Sequence, residues 1–197
     1  MLLDLVEQLA AEGLPVFAIG HSMGAIVALH MAATRRESPL AAIDISGLPY
    51  GMTDGLVDAE VLEQLDFIPA STPEFRRDLF YGPDATFDPL VLEEDAAISR
   101  PVPAAEIVDA AECTTATPGL ASMVEIPVQI TRADDERSSL GGPEWLDTLG
   151  SMFSASPRVC LNYQVASGHN ISLHRVARAY HLRALAFFEE VITSGRG

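Results

Sequence analysis

The 197-residue sequence contains no lysine, so all 12 of its cationic side chains are arginine. This absence excludes Schiff-base catalysis, a serine–lysine dyad and a phosphate-binding loop that ends in lysine. Cysteine is scarce as well, because Cys113 and Cys160 are too few for a disulfide framework and lack zinc-site spacing. No apolar run reaches the roughly 18 residues that a membrane span needs. Residues 1–9 mix acids with apolar side chains, which predicts an amphipathic helix rather than a signal peptide and a cytoplasmic protein.

Positively charged residues are also few. The 28 acidic residues outnumber the arginines and give a formal net charge of −16 with a pI near 4.5. A field of this sign disfavours nucleic acids and anionic membrane surfaces as partners. The 48% of hydrophobic and 20% of charged residues are typical of a packed, folded chain.

Short apolar runs alternate with helical patterns along the chain. The runs have the composition of buried parallel strands and lie at residues 14–19, 40–45, 126–131 and 159–165. Helical spacing predicts helices over residues 2–9, 25–33 and 173–192, the last with an apolar face formed by Leu182, Leu185, Phe188 and Ile192. Alternation of this kind predicts an α/β fold with a parallel sheet and helices on both of its faces.

A long stretch rich in proline and acids separates the second and third predicted strands. Because an unstructured loop of this length is unusual in a compact domain, we expect an inserted helical cap over residues 47–123. Its helices are predicted near residues 59–65, 73–80 and 103–111. The sheet core would then consist of residues 1–46 and 124–197.

The segment Gly20-His21-Ser22-Met23-Gly24 has the pattern G-x-S-x-G between a predicted strand and a predicted helix. A serine at the apex of so sharp a turn lies in strained backbone, and flanking glycines allow close approach of the strand and the helix. The N–H of Met23, at the helix N-terminus, is then a candidate donor to a developing oxyanion.

This motif in this context resembles the α/β-hydrolase superfamily, in particular its serine hydrolases and esterases. The resemblance implies a catalytic triad in the order serine, acid, histidine, with Ser22 as the nucleophile. Asp135 follows the third predicted strand at the family's spacing for the acid, although Arg132 stands where the family usually has glycine. Asp134 is the alternative acid, and Asp44 could serve only in a rarer arrangement.

His169 follows the fourth predicted strand in the sequence Gly168-His169, as the family's catalytic histidine does. It would act as the general base on Ser22, with Asp135 fixing its tautomer. His21 is expected to line the substrate pocket or to support the turn. We assign packing or surface roles to the remaining histidines, His30, His174 and His181. The five histidines do not cluster like metal ligands, so neither a metal nor another cofactor is expected.

The resemblance covers most of this chain but only part of the family's fold. The family places four strands and a helix before the nucleophile strand, whereas 13 residues precede it here. The chain would therefore lack the early strands and the second oxyanion donor that they carry. Its nucleophile strand would form an exposed apolar edge, through which a homodimer could assemble.

A serine nucleophile implies cleavage of a carboxylic ester-type bond through an acyl-enzyme intermediate. Residues 47–123 carry 15 acids and three arginines, which disfavours polyanionic carriers and favours a small neutral or apolar ester. The aromatic residues that could wall an acyl pocket are Phe67, Phe75, Phe80, Tyr81 and Phe87. Two alternatives stay open: a thioesterase or acyltransferase acting on carrier-bound acyl chains, and a catalytically impaired hydrolase-like fragment.

Overall fold

The computed structural model describes residues 2–33, 39–51, 62, 64–139 and 141–194. Within them six strands form two sheets: β1 (Val16–His21), β2 (Leu40–Ser46), β3 (Phe67–Ile68), β4 (Val102–Pro103), β5 (Val128–Asp135) and β6 (Val159–Gly168). Four of the strands make a parallel sheet in the order β1-β2-β5-β6, and β3 pairs with β4 in a short antiparallel ladder. The α/β class and the parallel sheet are thus confirmed.

Seven α-helices are present in the described part of the chain: α1 (Leu2–Ala11), α2 (Met23–Ala33), α3 (Pro73–Phe80), α4 (Pro89–Ile98), α5 (Ala104–Ser122), α6 (Pro143–Ser151) and α7 (Ala177–Ser194). Two single 3₁₀ turns, Asp84–Thr86 and Ile171–Leu173, complete the set. None of the helices described is both long and apolar enough to cross a membrane.

Helices cover both faces of the parallel sheet. On one face, Ile43 and Ile45 of β2 and Val128 of β5 pack against α1, α2, α5 and α6 in the main core. On the other face, Phe187 and Phe188 of α7 pack on β1 and β2, and the ring of Phe188 stacks on that of Phe17 with centroids 4.6 Å apart.

The apolar face expected for α7 differs from the buried one. Leu182 and Leu185 are 54% and 59% exposed. The side chains that α7 buries are Tyr180, Ala184, Phe187 and Phe188. Phe188 is buried as expected, but together with Phe187. These two adjacent rings bury more apolar area than the leucines can, so they fix the rotation of the helix on the sheet.

The strand that precedes Ser22 lies at an edge of the sheet. Among the described residues β1 pairs only with β2, as we expected for this strand. Ile19 on β1 is 49% exposed.

The segment between β2 and β5 is largely helical where it is described. Both α3 and α4 begin with proline after a capping residue: Thr72 Oγ1 accepts from the N–H of Phe75, and Asp88 Oδ1 accepts from the N–H of Leu90. Helix α3 spans the residues predicted for it, whereas α4 was not predicted. The helix predicted near residues 59–65 lies largely outside the described residues.

Helix α5 runs 11 residues past the end predicted for it and contains Pro118. Its buried side chains include Cys113, Thr117 and Ala121, of which Ala121 belongs to the main core. Burial of this face compensates for the stability that is lost because Pro118 has no backbone N–H to donate.

The two glycines of the G-x-S-x-G motif differ in their surroundings, which yields a prediction. A Cβ on Gly20 would lie 2.5 Å from the carbonyl oxygen of Gly24 and 2.9 Å from Cα of Ala25, whereas a Cβ on Gly24 would meet nothing within 4 Å. We expect Gly20→Ala to lower the free energy of unfolding by about 1–3 kcal/mol, because it forces β1 and α2 apart. Gly24→Ala should leave it unchanged or raise it by up to about 1 kcal/mol. Urea unfolding of the two variants tests this, and equal effects would contradict it.

Candidate active site

The four parallel strands end at the same edge of the sheet, where ligand sites of open α/β sheets lie. Ser22 follows β1 directly with φ of +54°, in the left-handed region that a serine rarely adopts. Its N–H donates to the carbonyl oxygen of Ser46 at the end of β2 (2.9 Å), and its own carbonyl oxygen accepts from the N–H of Ala25 in α2 (2.9 Å). The sharp turn expected at Ser22 is therefore present, held by one bond to the sheet and one to the helix.

His169 follows β6 and is 3% exposed. Its Nδ1 lies 2.8 Å from Oε2 of Glu136 and 3.0 Å from Oγ of Ser138. Ser138 also donates to Oε1 of Glu136, from its backbone N–H at 2.9 Å and from its hydroxyl group. The imidazole, the carboxylate and the hydroxyl group thus form a closed triangle.

This triangle assigns the tautomer of His169. A carboxylate can only accept hydrogen bonds, and the single hydroxyl proton of Ser138 is directed at Glu136. Nδ1 of His169 must therefore carry the proton that both neighbours accept. Its Nε2 is left with a free lone pair, as a general base requires.

Glu136 is buried, with a side chain 2% exposed. Burial by itself would raise the pKa of this carboxyl group. The attraction of His169 and the hydrogen bonds from His169 and Ser138 outweigh burial and lower the pKa to about 2. Glu136 is thus ionised at neutral pH and can stabilise a positive charge on the imidazole.

The carboxylate on His169 is not the one that the spacing indicated. Asp135 instead forms an ion pair with Arg137 (2.6 Å) near the surface. Asp134 accepts the N–H groups of Ala166 (2.8 Å) and Ser167 (3.0 Å) and so holds the irregular end of β6. Because β5 continues through Asp135, the turn that faces His169 starts one residue later than the family spacing placed it.

Arg132, the residue that stands where the family usually has glycine, holds the turn that carries Glu136. Its buried guanidinium group donates to Oγ and the carbonyl oxygen of Ser139, both at 3.0 Å, and to the carbonyl oxygen of Gly141. Three charge-assisted hydrogen bonds to one turn restrict its movement. The residue that departs from the family pattern thus stabilises the turn that carries Glu136.

Gly47, the first residue after β2, allows the two histidines of the site to approach each other. Its φ is +56°, and a Cβ there would lie 2.8 Å from Cε1 of His169 and 3.0 Å from Cε1 of His21. The rings of His21 and His169 lie with centroids 4.8 Å apart. The turn after β2 thus joins the ends of β1 and β6 into one site.

A scan against protein-family models matches residues 2–189 to the alpha/beta hydrolase family. The chain belongs to the alpha/beta hydrolase family. A search of curated proteins found no significant match.

Solved structures of several other proteins have the same fold as this alpha/beta hydrolase. A soluble variant of monoglyceride lipase from Saccharomyces cerevisiae, in complex with a substrate analog, is 14% identical with a TM-score of 0.67, and the match covers 94% of this chain and 65% of that one. A carboxyl esterase from Bacillus coagulans, in complex with glycerol, is 18% identical with a TM-score of 0.68 and coverages of 96% and 69%. A thioesterase domain from the curacin biosynthetic pathway is 16% identical with a TM-score of 0.55 and coverages of 93% and 71%. The chain therefore spans about two thirds of the length of these proteins, and slightly less for the lipase.

One predicted aromatic residue of this alpha/beta hydrolase lies at the site. The ring of Phe80, at the end of α3, lies 5.3 Å from that of His169. Tyr81 and Phe87 are fully buried and pack on each other, whereas Phe67 and Phe75 are about half exposed. The five aromatics do not form one wall.

An open groove of about 1140 Å³ lies between α2 and α5, beside the turn at Ser22. Met23, Ile26 and Val27 form its α2 side. Three acids of α5 line the opposite side: Glu106, Asp109 and Glu112. In the part of the chain that the structure describes, no group of three or more histidine, cysteine or acidic side chains is arranged to hold a metal ion.

Three residues close to His169 were not predicted from the sequence: Gly47, Glu136 and Ser138. A usable signal existed for Glu136 alone, since Asp134, Asp135 and Glu136 are consecutive acids after a strand. Local spacing cannot tell which of three neighbouring acids turns inward. Gly47 and Ser138 lie on the turns that follow β2 and β5, so their position beside His169 depends on the tertiary fold.

A buried chain of polar groups begins at His21. Its Nδ1 lies 3.0 Å from Oγ of Ser46, which lies 3.1 Å from the hydroxyl group of Tyr180 on α7. Burial, followed by repulsion from His169, lowers the pKa of His21 to about 4, so its ring is neutral at pH 7. His21 thus contacts Ser46, whose carbonyl oxygen accepts the N–H of Ser22.

Asp44, the acid considered for a rarer triad, is fully buried on β2. Its Oδ1 accepts from the side-chain amide of Gln129 (3.1 Å), while its Oδ2 has no hydrogen-bond partner among the described residues. Burial outweighs the bond from Gln129 and raises the pKa of Asp44 to about 6. The structure places Asp44 under the site without contact to His169.

The raised pKa of Asp44 predicts a pH-dependent effect of Asp44→Asn on stability. Protonation of Asp44 favours the folded state, so its stabilising effect is complete below pH 3.8 and is lost as pH rises through about 6. At pH 7.5 the variant should be more stable by up to about 3 kcal/mol, at about 1.4 kcal/mol per pKa unit. The gain should vanish near pH 4.

Urea unfolding at several pH values measures this difference. Asp147→Asn, at an exposed acid, is the control and should show no such trend. A gain from Asp44→Asn that is equal at pH 4 and pH 7.5 would contradict the raised pKa.

Proposed function

We propose that this chain is a serine hydrolase that cleaves a carboxylic ester through an acyl-enzyme intermediate. The observation that carries the proposal is the buried hydrogen bond from Nδ1 of His169 to Glu136, at the sheet edge where Ser22 occupies a strained turn. Family membership and the fold shared with lipases and esterases support the reaction class.

In the proposed reaction Ser22 is the nucleophile, His169 the base and Glu136 the acid of the triad. Oγ of Ser22 bonds to the ester carbonyl carbon as its proton passes to Nε2 of His169. The carbon–oxygen bond to the alcohol then breaks, and the alcohol leaves with that proton. Water, deprotonated by His169, adds to the acyl carbon. The bond from that carbon to Ser22 Oγ then breaks as His169 returns the proton to Oγ, which releases the carboxylic acid and regenerates Ser22. Glu136 stabilises the imidazolium in both halves.

The N–H of Met23 is proposed as an oxyanion donor. Met23 is the first residue of α2, and an α-helix leaves the N–H groups of its first turn without acceptors inside the helix. The positive end of the helix dipole lies at the same position and also favours negative charge there. Such donors typically contribute about 10²–10³ in turnover.

We propose a small neutral or apolar ester as the substrate. The groove beside Met23 has apolar side chains along α2 and the three acids of α5 opposite them. Negative charge on this side repels anionic groups, so a polyanionic carrier-bound thioester fits the groove less well than a neutral ester does.

A fluorophosphonate tests the proposed nucleophile. This reagent reacts with an activated serine, whose Oγ displaces fluoride from phosphorus. We expect the intact mass of the chain to increase by one phosphonyl group, with no increase in Ser22→Ala. Circular dichroism should be the same for both proteins. An unlabelled but folded wild-type chain would overturn the proposal and favour an impaired hydrolase-like fragment.

Glu136→Gln and Asp135→Asn distinguish the two candidate acids. If Glu136 is the acid, its amide variant should lose about 10⁴ in turnover of a p-nitrophenyl ester, because the amide can stabilise the wrong tautomer of His169. Asp135→Asn removes only the ion pair with Arg137 and should retain most of the activity. A larger loss in Asp135→Asn than in Glu136→Gln would restore Asp135 as the acid.

A further inference from the structure

Two chain segments cross in backbone contact next to His169. Gly168 precedes His169, and Gly82 follows the end of α3. A Cβ on Gly168 would lie 2.5 Å from the backbone nitrogen of Gly82 and 2.6 Å from the carbonyl carbon of Tyr81, so neither segment can shift inward. The crossing determines where the backbone before His169 lies.

Both glycines are buried, and their N–H groups are directed at the same atom. Nε2 of His174 accepts the N–H of Gly168 at 3.0 Å and that of Gly82 at 3.2 Å. Nδ1 of His174 lies 2.9 Å from the carbonyl oxygen of Asn170, to which it donates. One imidazole thus binds the backbone on both sides of His169 and the segment that crosses it.

The bonds of His174 require a neutral ring with its proton on Nδ1. Both neighbours of Nε2 are donors, so this nitrogen must keep its lone pair. His174 is 4% exposed, and burial lowers its pKa despite the opposing effects of the Asn170 carbonyl group and of Asp134 and Asp135. At pH 7 His174 is therefore a fixed acceptor.

The same contacts connect His174 to the ring environment of His169. The N–H of Asn170 donates to the carbonyl oxygen of Phe80 (2.9 Å), whose ring faces His169. Residues 80–82 and 168–170 consequently form one unit, in which the N–H groups of both glycines share one side-chain acceptor.

We propose that His174 is a positioning residue, which holds His169 in place for catalysis through the N–H groups of Gly168 and Gly82. The proposal rests on the function proposed for His169. Without this acceptor two buried N–H groups at the crossing lose their partner, and the backbone at Gly168 must move to reach another one.

Two substitutions distinguish the effect of losing the hydrogen-bond acceptor of His174 from the effect of losing its aromatic ring. His174→Phe keeps an aromatic ring beside Tyr81 and Phe87, whose centroids lie 5.6 and 6.0 Å from that of His174, but it removes the acceptor. His174→Gln removes the ring and restores an acceptor, since its side-chain oxygen reaches the position of Nε2. His174→Met, which has the length of glutamine and only a weak acceptor, replaces the phenylalanine variant if that variant does not fold.

The first measurement is the rate of fluorophosphonate labelling at Ser22. We expect His174→Phe to lower the maximal rate by roughly 10²-fold, as a displaced catalytic group does, with little change in the reagent concentration that gives half of that rate. His174→Gln should recover most of the loss. His181→Phe, at an exposed histidine of α7, is the control and should label like the wild type.

The second measurement, the proton NMR signal of Nδ1–H of His169, does not depend on catalysis. We expect the signal in the wild type and in His174→Gln, and its broadening or loss in His174→Phe. Unchanged labelling and an unchanged signal in His174→Phe would overturn the proposal, and so would equal losses in the phenylalanine and glutamine variants. If the wild type itself is not labelled, the proposed function fails, and the NMR comparison alone decides the role of His174.

Discussion

The hydrogen bond between buried His169 and buried Glu136 is the interaction on which the architecture of the site depends. A carboxylate removed from water is unfavourable unless other groups donate to it, and here His169 and Ser138 supply those donors. Arg132 holds the turn that carries Glu136, and the crossing at Gly168 holds the backbone that carries His169. Each partner of the bond thus has its own support in a different part of the chain.

Glycines, which have no side chain, are as important to this arrangement as the residues with functional side chains. Gly20 lets α2 start directly behind β1, Gly47 lets two histidine rings approach, and Gly168 lets two backbone segments touch. In each case a Cβ would lie less than 3.0 Å from another atom. Gly24, the second glycine of the motif, has no such contact, so the pattern G-x-S-x-G includes one glycine that packing requires and one that it does not.

The parts of the fold that could be predicted from sequence are those with a local signal. Ser22 and His169 were found because each follows an apolar run and precedes a helical pattern, and the structure puts both at the carboxyl edge of the sheet. Glu136 was missed by one residue, because the length of β5 depends on its pairing with β6 rather than on its own sequence. The rotation of α7 was predicted only in part: Phe188 is buried as expected, but it is buried together with Phe187 rather than with Leu182 and Leu185.

The sequence by itself determined the α/β class, the order of the strands along the chain, and a serine between strand and helix, because these follow from periodicity and from the backbone that glycine permits. Only the tertiary structure decided which of three consecutive acids reaches His169, and that His174 lies at a crossing of two backbones rather than in a helix. Both outcomes depend on hydrogen bonds between buried residues that lie far apart in the sequence. The packed molecule selects among such partners, because a buried polar group without a hydrogen-bond partner costs free energy.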